Sequence, residues 1–258
     1  QHIWPVLQGI LERLKQDFTD FPEVHILEIG AGTGAHAEFF PAQDSSLVWQ
    51  PTDYEFQAQY NPDLSSLEGG QNGRVLPIYR PFDASDAAIW DEFASQTRFD
   101  DGKEPSLGSS APIVDGKKQD LPQTKQYQVI YGASLVHMCP WPCTQELFIG
   151  ASKLLKPGGA LVLYGPFRDT RAGSPTEGKL QTTVKEVIVT GFRGPGDANF
   201  HKLIREERDS SWGLRDVAQL QQLAGLLGLE LVDSHDVGPN NFLLHFKRVC
   251  KEVRAEDV

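Results

Sequence analysis

Apolar residues change period along this chain, and the period separates helices from strands. In "WPVLQGILERL", Trp4 to Leu14, they return every three or four positions, which predicts an amphipathic helix with Pro5 tolerated in its first turn. Short runs of β-branched and aliphatic residues predict strands at Val24 to Ile29, Leu47 to Gln50, Val75 to Tyr79, Tyr127 to Gly132, Ala160 to Tyr164, Glu230 to Asp236 and Phe242 to Arg248. Helical stretches such as "CTQELFIGASKLL" and "RDVAQLQQLAGLLG" separate most of them. That alternation builds a parallel sheet, because parallel neighbours need a crossover and the crossover helices cover both faces. Only "VGPNN" lies between the last two runs, too short for a crossover, so these are expected to pair as an antiparallel hairpin. The pattern predicts one α/β domain over residues 1–258: a doubly wound, mostly parallel sheet of seven strands, ending in the antiparallel hairpin, with helices on both faces.

Two segments break the alternation. Residues 97–125 turn to Asp, Gly, Ser, Pro and Lys, which bury too little apolar surface to offset their ordering entropy, and a mobile polar surface insertion is expected. Residues 168–200 are loop-like at both ends around an apolar middle, "VKEVIVTGF", which reads either as part of a lid over the site or as a short surface strand.

Composition narrows the function classes. A chain of 258 residues that is 40% hydrophobic can bury a substantial core. Its net charge of -11, with no basic cluster, argues against a nucleic-acid partner. No apolar run approaches the roughly 20 residues of a membrane helix, and the N-terminus lacks signal-peptide character, so a soluble, cytoplasmic protein is expected; oligomeric state is left open. Cys139, Cys143 and Cys250 are too few and too irregularly spaced for a disulfide framework or a zinc site, and read as small, partly buried residues. No metal is expected.

The chemistry concentrates in "VHILEIGAGTGAHAEFF", Val24 to Phe40, which reads as strand, tight glycine loop and helix start. Spacing alone does not choose its ligand, because Gly30, Gly32 and Ala35, with Asp53 as a later ribose acid, also satisfy a dinucleotide fingerprint. What accompanies the loop chooses: Glu28 within the strand, "WQPTD" closing the second strand, and "LLKPGGALVLYGP" late in the chain. Together these resemble the seven-stranded, Rossmann-like class I methyltransferases that use S-adenosyl-L-methionine. More narrowly, "GTGAHAEFF", "WQPTD", "HMCPW", "LFIGASKLLKPGG", "LYGPF", "WGLRD" and "NNFLLHFKR", in this order, are similar to the methyltransferase-like 26 group, once catalogued as a domain of unknown function. The likeness covers most of the chain outside the insertions, at about 97–125 and 172–197. That family normally carries a segment before the first helix, so part of a cofactor lid is expected to lie outside a sequence beginning at Gln1.

The resemblance implies S-adenosyl-L-methionine as cofactor and S-adenosyl-L-homocysteine as product but names no substrate; a small-molecule substrate is expected. The cofactor has no phosphates, so the glycines serve close approach of backbone to ligand and carboxylates do the polar work. Glu28 is expected at the amino-acid end of the cofactor, Asp53, nineteen residues after Gly34, at the ribose hydroxyls, and Asp83 with Ala84 at the adenine. Gly30, Ala31, Gly32, Gly34, Tyr54 and Ala133 complete the expected cofactor set. A turn residue at Asp53 and a helix cap at Asp83 are the plainer readings.

His137 in "GASLVHMCPW" follows the fourth strand, where an open α/β sheet presents side chains to ligand, and it reads either as a general base or as a packing residue beneath the cofactor. His36 reads as a helix cap or a substrate contact. Trp141, Tyr164, Phe167 and Trp212 are candidate walls of a substrate pocket, with core packing the plainer role for most of them. Arg215, Asp216, Asn240 and Asn241 are candidates for orienting polar groups, although Asp216 suits a helix start equally. Methyl transfer by in-line displacement is the reaction implied. A non-methylating reaction on the same fold, such as isomerisation or cyclisation, and a cofactor-binding module without catalysis stay open, as does the acceptor atom, whether O, N, S or C.

Overall fold

The computed structural model describes residues 2–54, 74–76, 78–79, 81–97, 113–114, 117–118, 127–171, 195–238 and 241–249. Helices α1 (Trp4–Asp17), α2 (Ala35–Gln43), α3 (Ala87–Thr97), α4 (Trp141–Leu154), α5 (Pro195–Glu207) and α6 (Val217–Leu226) alternate with strands. The strands are β1 (Val24–Ile29), β2 (Leu47–Thr52), β3 (Tyr127–Ala133), β4 (Leu155–Gly165), β5 (Leu229–Asp236) and β6 (Phe242–Arg248). These six form one sheet in the order β2-β1-β3-β4-β6-β5. β1 runs parallel to β2 and β3, and β3 parallel to β4. β6 lies antiparallel to both β4 and β5, as the short "VGPNN" connection requires.

The main sheet, expected from the sequence to have seven strands, has six among the described residues. Where a strand was expected at 75–79, Val75 and Tyr79 instead meet Trp49 and Thr52 of β2 through isolated parallel bridges. The sequence puts Pro77 between them, and a proline has no N–H to give a continuous ladder. An antiparallel pair of two-residue strands, Ile113–Val114 with Lys117–Lys118, falls in the expected polar insertion. The rest of that insertion and most of the expected lid stretch lie outside the described residues. No helix among the described residues is long and apolar enough to cross a membrane.

Strand alternation sends successive side chains to opposite faces, so each face of the sheet has its own core. Val24 and Ile26 of β1 meet Leu7, Ile10, Leu11 and Leu14 of α1 and Phe40 of α2. Leu27 and Ile29 face the other way, into the cluster with Trp90 and Phe93 of α3, Phe148 of α4 and Leu220 of α6. Gly150 shows how closely α4 approaches α3: a Cβ there would lie 2.1 Å from the Trp90 ring. The chain crosses from β2 on one side of β1 to β3 on the other, which makes the carboxyl ends of β1 and β3 the topological switch point, where open α/β sheets bind ligands.

Candidate functional site

The loop leaving β1 is shaped by three glycines in left-handed backbone, Gly30 (φ 72°), Gly32 (φ 57°) and Gly34 (φ 76°). A side chain at these positions would strain the backbone. A Cβ added at Gly30 would press on Leu135 at 3.3 Å, whereas one added at Gly32 would meet nothing within 4 Å. The loop is therefore packed from below by the chain after β3 and open above its centre.

Asp53 closes one side of that opening. Its Oδ2 accepts the Gly32 amide at 2.7 Å and its Oδ1 the Tyr54 amide at 2.8 Å. Backbone bonds carry the arrangement onward: Asp53 N–H donates to Tyr79 O at 3.2 Å, and Phe82 N–H to Asp53 O at 2.8 Å. Asp83 follows Phe82 at once, so Tyr79 and residues 82–84 stand beside Asp53. Asp83 Oδ1 accepts from the Ser85 amide (2.8 Å) and hydroxyl (2.6 Å), a local turn, while Asp86 accepts from the Ala88 amide at the start of α3 (2.9 Å). Ala84 is buried and its carbonyl accepts from Trp90 Nε1 at 3.0 Å.

Glu28 is fully buried and engaged by the protein itself: Oε2 accepts from Trp49 Nε1 at 2.7 Å, and Oε1 lies 3.2 Å from His36 Nδ1. His36 stacks on Phe40 at 5.3 Å and meets the edge of Tyr131, which fixes its ring beside the glycine loop. Trp49 was not foreseen as the partner of Glu28. The two are brought together by β1 and β2 pairing, which a local motif does not reveal.

At the end of β3, Ser134 is the non-glycine residue with positive φ (51°) among the described residues, and it is exposed. Its N–H donates to Tyr164 O at 2.7 Å, tying the end of β3 to the end of β4. Strained backbone at the carboxyl edge of a sheet is commonly stored at ligand sites. The 3₁₀ turn Val136–Met138 then carries His137, whose Nδ1 is buried without a hydrogen bond; that atom would lie 3.6 Å from a Cβ placed at Gly165. Burial, with the Arg215 guanidinium adding to it, pushes the imidazole down to about 4. His137 is therefore neutral at neutral pH. Phe200 of α5 covers its ring at 5.8 Å.

A segment 211–216 fastens this turn. Gly213 N–H donates to His137 O at 3.0 Å, and Arg215 donates from Nε to Val136 O at 3.0 Å and from Nη2 to Cys139 O. Arg215, expected to orient a substrate, instead uses its guanidinium on the backbone of the His137 turn and lies 5.7 Å from the Trp141 ring. Asp216 is the N-cap of α6, accepting the Ala218 amide at 3.0 Å and the Thr170 hydroxyl at 3.0 Å. Phe167 is 1% exposed and belongs to the core rather than to an open wall. Trp141, Tyr164 and Trp212 are half-buried near the same edge. Asn241 sits in the hairpin turn next to Phe242, which pairs with Gly165, so that turn reaches the same end of the sheet; Asn240 lies outside the described residues. Among the described residues no group of three or more potential metal ligands converges.

The residues fit a nucleoside ligand. The opening over Gly32 admits close backbone contact, and Asp53 beside it would accept hydrogen bonds from ribose hydroxyls.

Solved structures share this architecture. An O-methyltransferase family protein from Burkholderia thailandensis superposes with a TM-score of 0.58 at 14% identity, over 96% of this chain and 57% of that one. Human N-acetylserotonin methyltransferase, solved in complex with SAM, gives 0.52 at 12% identity, over 91% and 49%. An O-methyltransferase family 2 protein from Planctomyces limnophilus, solved in complex with apigenin, gives 0.53 at 13%, over 87% and 51%. The chain thus spans about half the length of the solved structures it matches, and it has the class I methyltransferase fold. A family model described as protein of unknown function (DUF938) matches residues 7–180.

Proposed function

The chain belongs to the DUF938 family, and we propose that it is an S-adenosyl-L-methionine-dependent methyltransferase, the cofactor being the one the methyltransferase-like 26 resemblance implies, and that it acts on a small molecule. The observation that carries this reading is the left-handed glycine loop, open above Gly32, with the Asp53 carboxylate 2.7 Å from the Gly32 amide at the switch point of the sheet. In it, Gly30, Ala31, Gly32 and Gly34 line the cofactor's methionine and ribose portions. Asp53 receives the ribose hydroxyls, with Tyr54 beside it, and Asp83 and Ala84 border the adenine. Glu28 acts at one remove, holding His36 and Trp49 behind the loop. Ala133 and Ser134 form the floor at the end of β3.

When bound, the cofactor supplies an electrophilic methyl carbon on a sulfonium, so positioning of the acceptor contributes a large part of the rate. His137 is the proposed base. Its Nδ1 is enclosed, which leaves Nε2 to meet the acceptor's proton, and the ring is unprotonated at neutral pH, while the burial that keeps it neutral also weakens it as a base. Phe200 over the ring, with Trp141, Trp212, Tyr164 and Asn241 nearby, forms the proposed substrate wall.

The test is transfer of labelled methyl from the cofactor to a metabolite pool by the purified chain. Labelled product sensitive to Asp53→Ala is the expected result. Binding of S-adenosyl-L-homocysteine with no transfer to any acceptor would leave a non-methylating enzyme or a binding module, and absence of binding would remove the cofactor assignment.

A further inference from the structure

At the exit of the glycine loop, β1 and α2 bring a carboxylate and an imidazole together. Glu28, the last residue but one of β1, is fully buried, whereas His36, the second residue of α2, keeps 29% of its side chain exposed. Glu28 Oε1 lies 3.2 Å from His36 Nδ1, and Oε2 accepts from Trp49 Nε1 at 2.7 Å. Phe40, one turn further along α2, stacks on the imidazole with planes 5° apart, and the Tyr131 ring stands across its edge at 82°, which holds the ring in place. Tyr131 is the register partner of Glu28 on β3, and its hydroxyl is buried with no hydrogen bond. Two residues on along β3 comes Ala133, paired with Tyr164 of β4, where the floor and wall of the site are proposed. We propose that His36, aligned by Glu28, binds the amino-acid end of the cofactor and takes its α-ammonium on Nε2. This assignment rests on the methyltransferase reading.

Tautomer and charge both point to an ammonium. An ionised carboxylate only accepts hydrogen bonds, so Nδ1 carries the hydrogen of the 3.2 Å contact and the lone pair of the neutral ring sits on Nε2. A carboxylate behind a histidine also strengthens the opposite nitrogen as an acceptor. Among the described residues the Glu28 side chain meets Trp49 and His36 and neither a lysine nor an arginine. Burying a carboxylate is costly unless a positive group compensates it, and the ligand's ammonium supplies that group through His36. Tyr131 adds no competing charge, since burial first, then Glu28 and Tyr164, hold its hydroxyl well above the ordinary range and keep it protonated. Both Glu28 oxygens are engaged within the protein, so the contact expected of Glu28 passes to Nε2 of His36. Two carboxylates then divide the ligand, Asp53 taking the ribose directly and Glu28 reaching the amino-acid end through the imidazole.

Calorimetry of the full chain compares three probes: S-adenosyl-L-homocysteine, its decarboxylated analogue, which keeps the ammonium, and methylthioadenosine, which lacks the whole amino-acid end. The proteins are wild type, His36→Ala and His36→Phe, the last keeping a ring against Phe40 and Tyr131 without a nitrogen. Wild type should bind the two ammonium-bearing probes at least about 10-fold more tightly than methylthioadenosine. Either variant with the wild-type melting temperature should lose about 10- to 150-fold in affinity for those two, the range for a hydrogen bond to a charged group, and bind methylthioadenosine as wild type does. Wild type that binds all three probes alike, or a folded variant that binds S-adenosyl-L-homocysteine as wild type does, would overturn the proposal. So would a loss shared by methylthioadenosine, which marks a damaged loop, or a loss that spares the decarboxylated analogue, which marks a carboxylate contact. Wild type that binds none of the three removes the cofactor reading itself, and the proposal with it.

Discussion

His137→Gln should remove an acid sensitivity that the burial of His137 builds into the fold. The imidazole is pushed down from its ordinary 6.5 to about 4, chiefly by burial and secondarily by Arg215. Above pH 6.5 it is neutral in both folded and unfolded chains and contributes no pH dependence. As pH falls from 6.5 to 4 the unfolded chain takes up the proton and the folded chain does not, so stability is lost through that window and the loss levels off below 4. At about 1.4 kcal/mol per pH unit of separation, the single histidine should cost roughly 2 to 3 kcal/mol at pH 4.5. Urea unfolding of wild type and His137→Gln at pH 7.5 and 4.5 isolates it, since carboxylate contributions are common to both proteins. The variant should lose roughly 2 to 3 kcal/mol less on acidification. Equal losses in the two proteins would refute the burial argument. The same depression places the proposed base's limb of a pH–rate profile near pH 4 rather than 6.5.

Asp53→Ala should weaken S-adenosyl-L-homocysteine binding by about 1.5 to 3 kcal/mol, or about 10- to 150-fold, because it removes a charged acceptor held against the glycine loop; calorimetry on a variant with unchanged melting temperature reads it. Gly150→Ala should destabilise the domain by at least about 1 to 3 kcal/mol, since its Cβ would stand 2.1 Å from the Trp90 ring in the closely packed α3–α4 contact, and thermal unfolding reads the loss. Asp216→Ala should cost about 0.5 to 2 kcal/mol through loss of the α6 N-cap, and Asp216→Ser should recover most of it in the same denaturation assay.

Much of the fold is legible in short sequence windows because burial forces continuous apolar runs. β1 and the last strand, β6, begin and end where the residues alone place them. β2 runs on through Pro51 to Thr52, past the point where a proline ends a sequence pattern; Pro51 still serves as an acceptor, for Tyr79 N–H at 3.0 Å. β4 begins at Leu155, not Ala160, because Leu155 pairs with Tyr127 across an irregularity, although "KPGG" reads locally as a turn. The glycine loop and Asp53 are likewise readable, since left-handed backbone and a nearby acid leave a local signature. Arg215 is not. Its bonds run to carbonyls 76 and 79 residues away, and an arginine's sequence neighbours do not tell a substrate contact from a backbone clamp. The pairing of Glu28 with Trp49 is hidden for the same reason, being made by strand register.

On the proposed reading, the loop from Gly30 to Gly34 with Asp53 holds a phosphate-free nucleoside cofactor. Calorimetry of the purified chain against S-adenosyl-L-methionine, S-adenosyl-L-homocysteine and nicotinamide dinucleotides tests it in one series. The expected result is one-to-one binding of the two sulfur-containing ligands, lost or weakened in Asp53→Ala, and no heat with the dinucleotides. Binding of a dinucleotide with no response to S-adenosyl-L-homocysteine would contradict it.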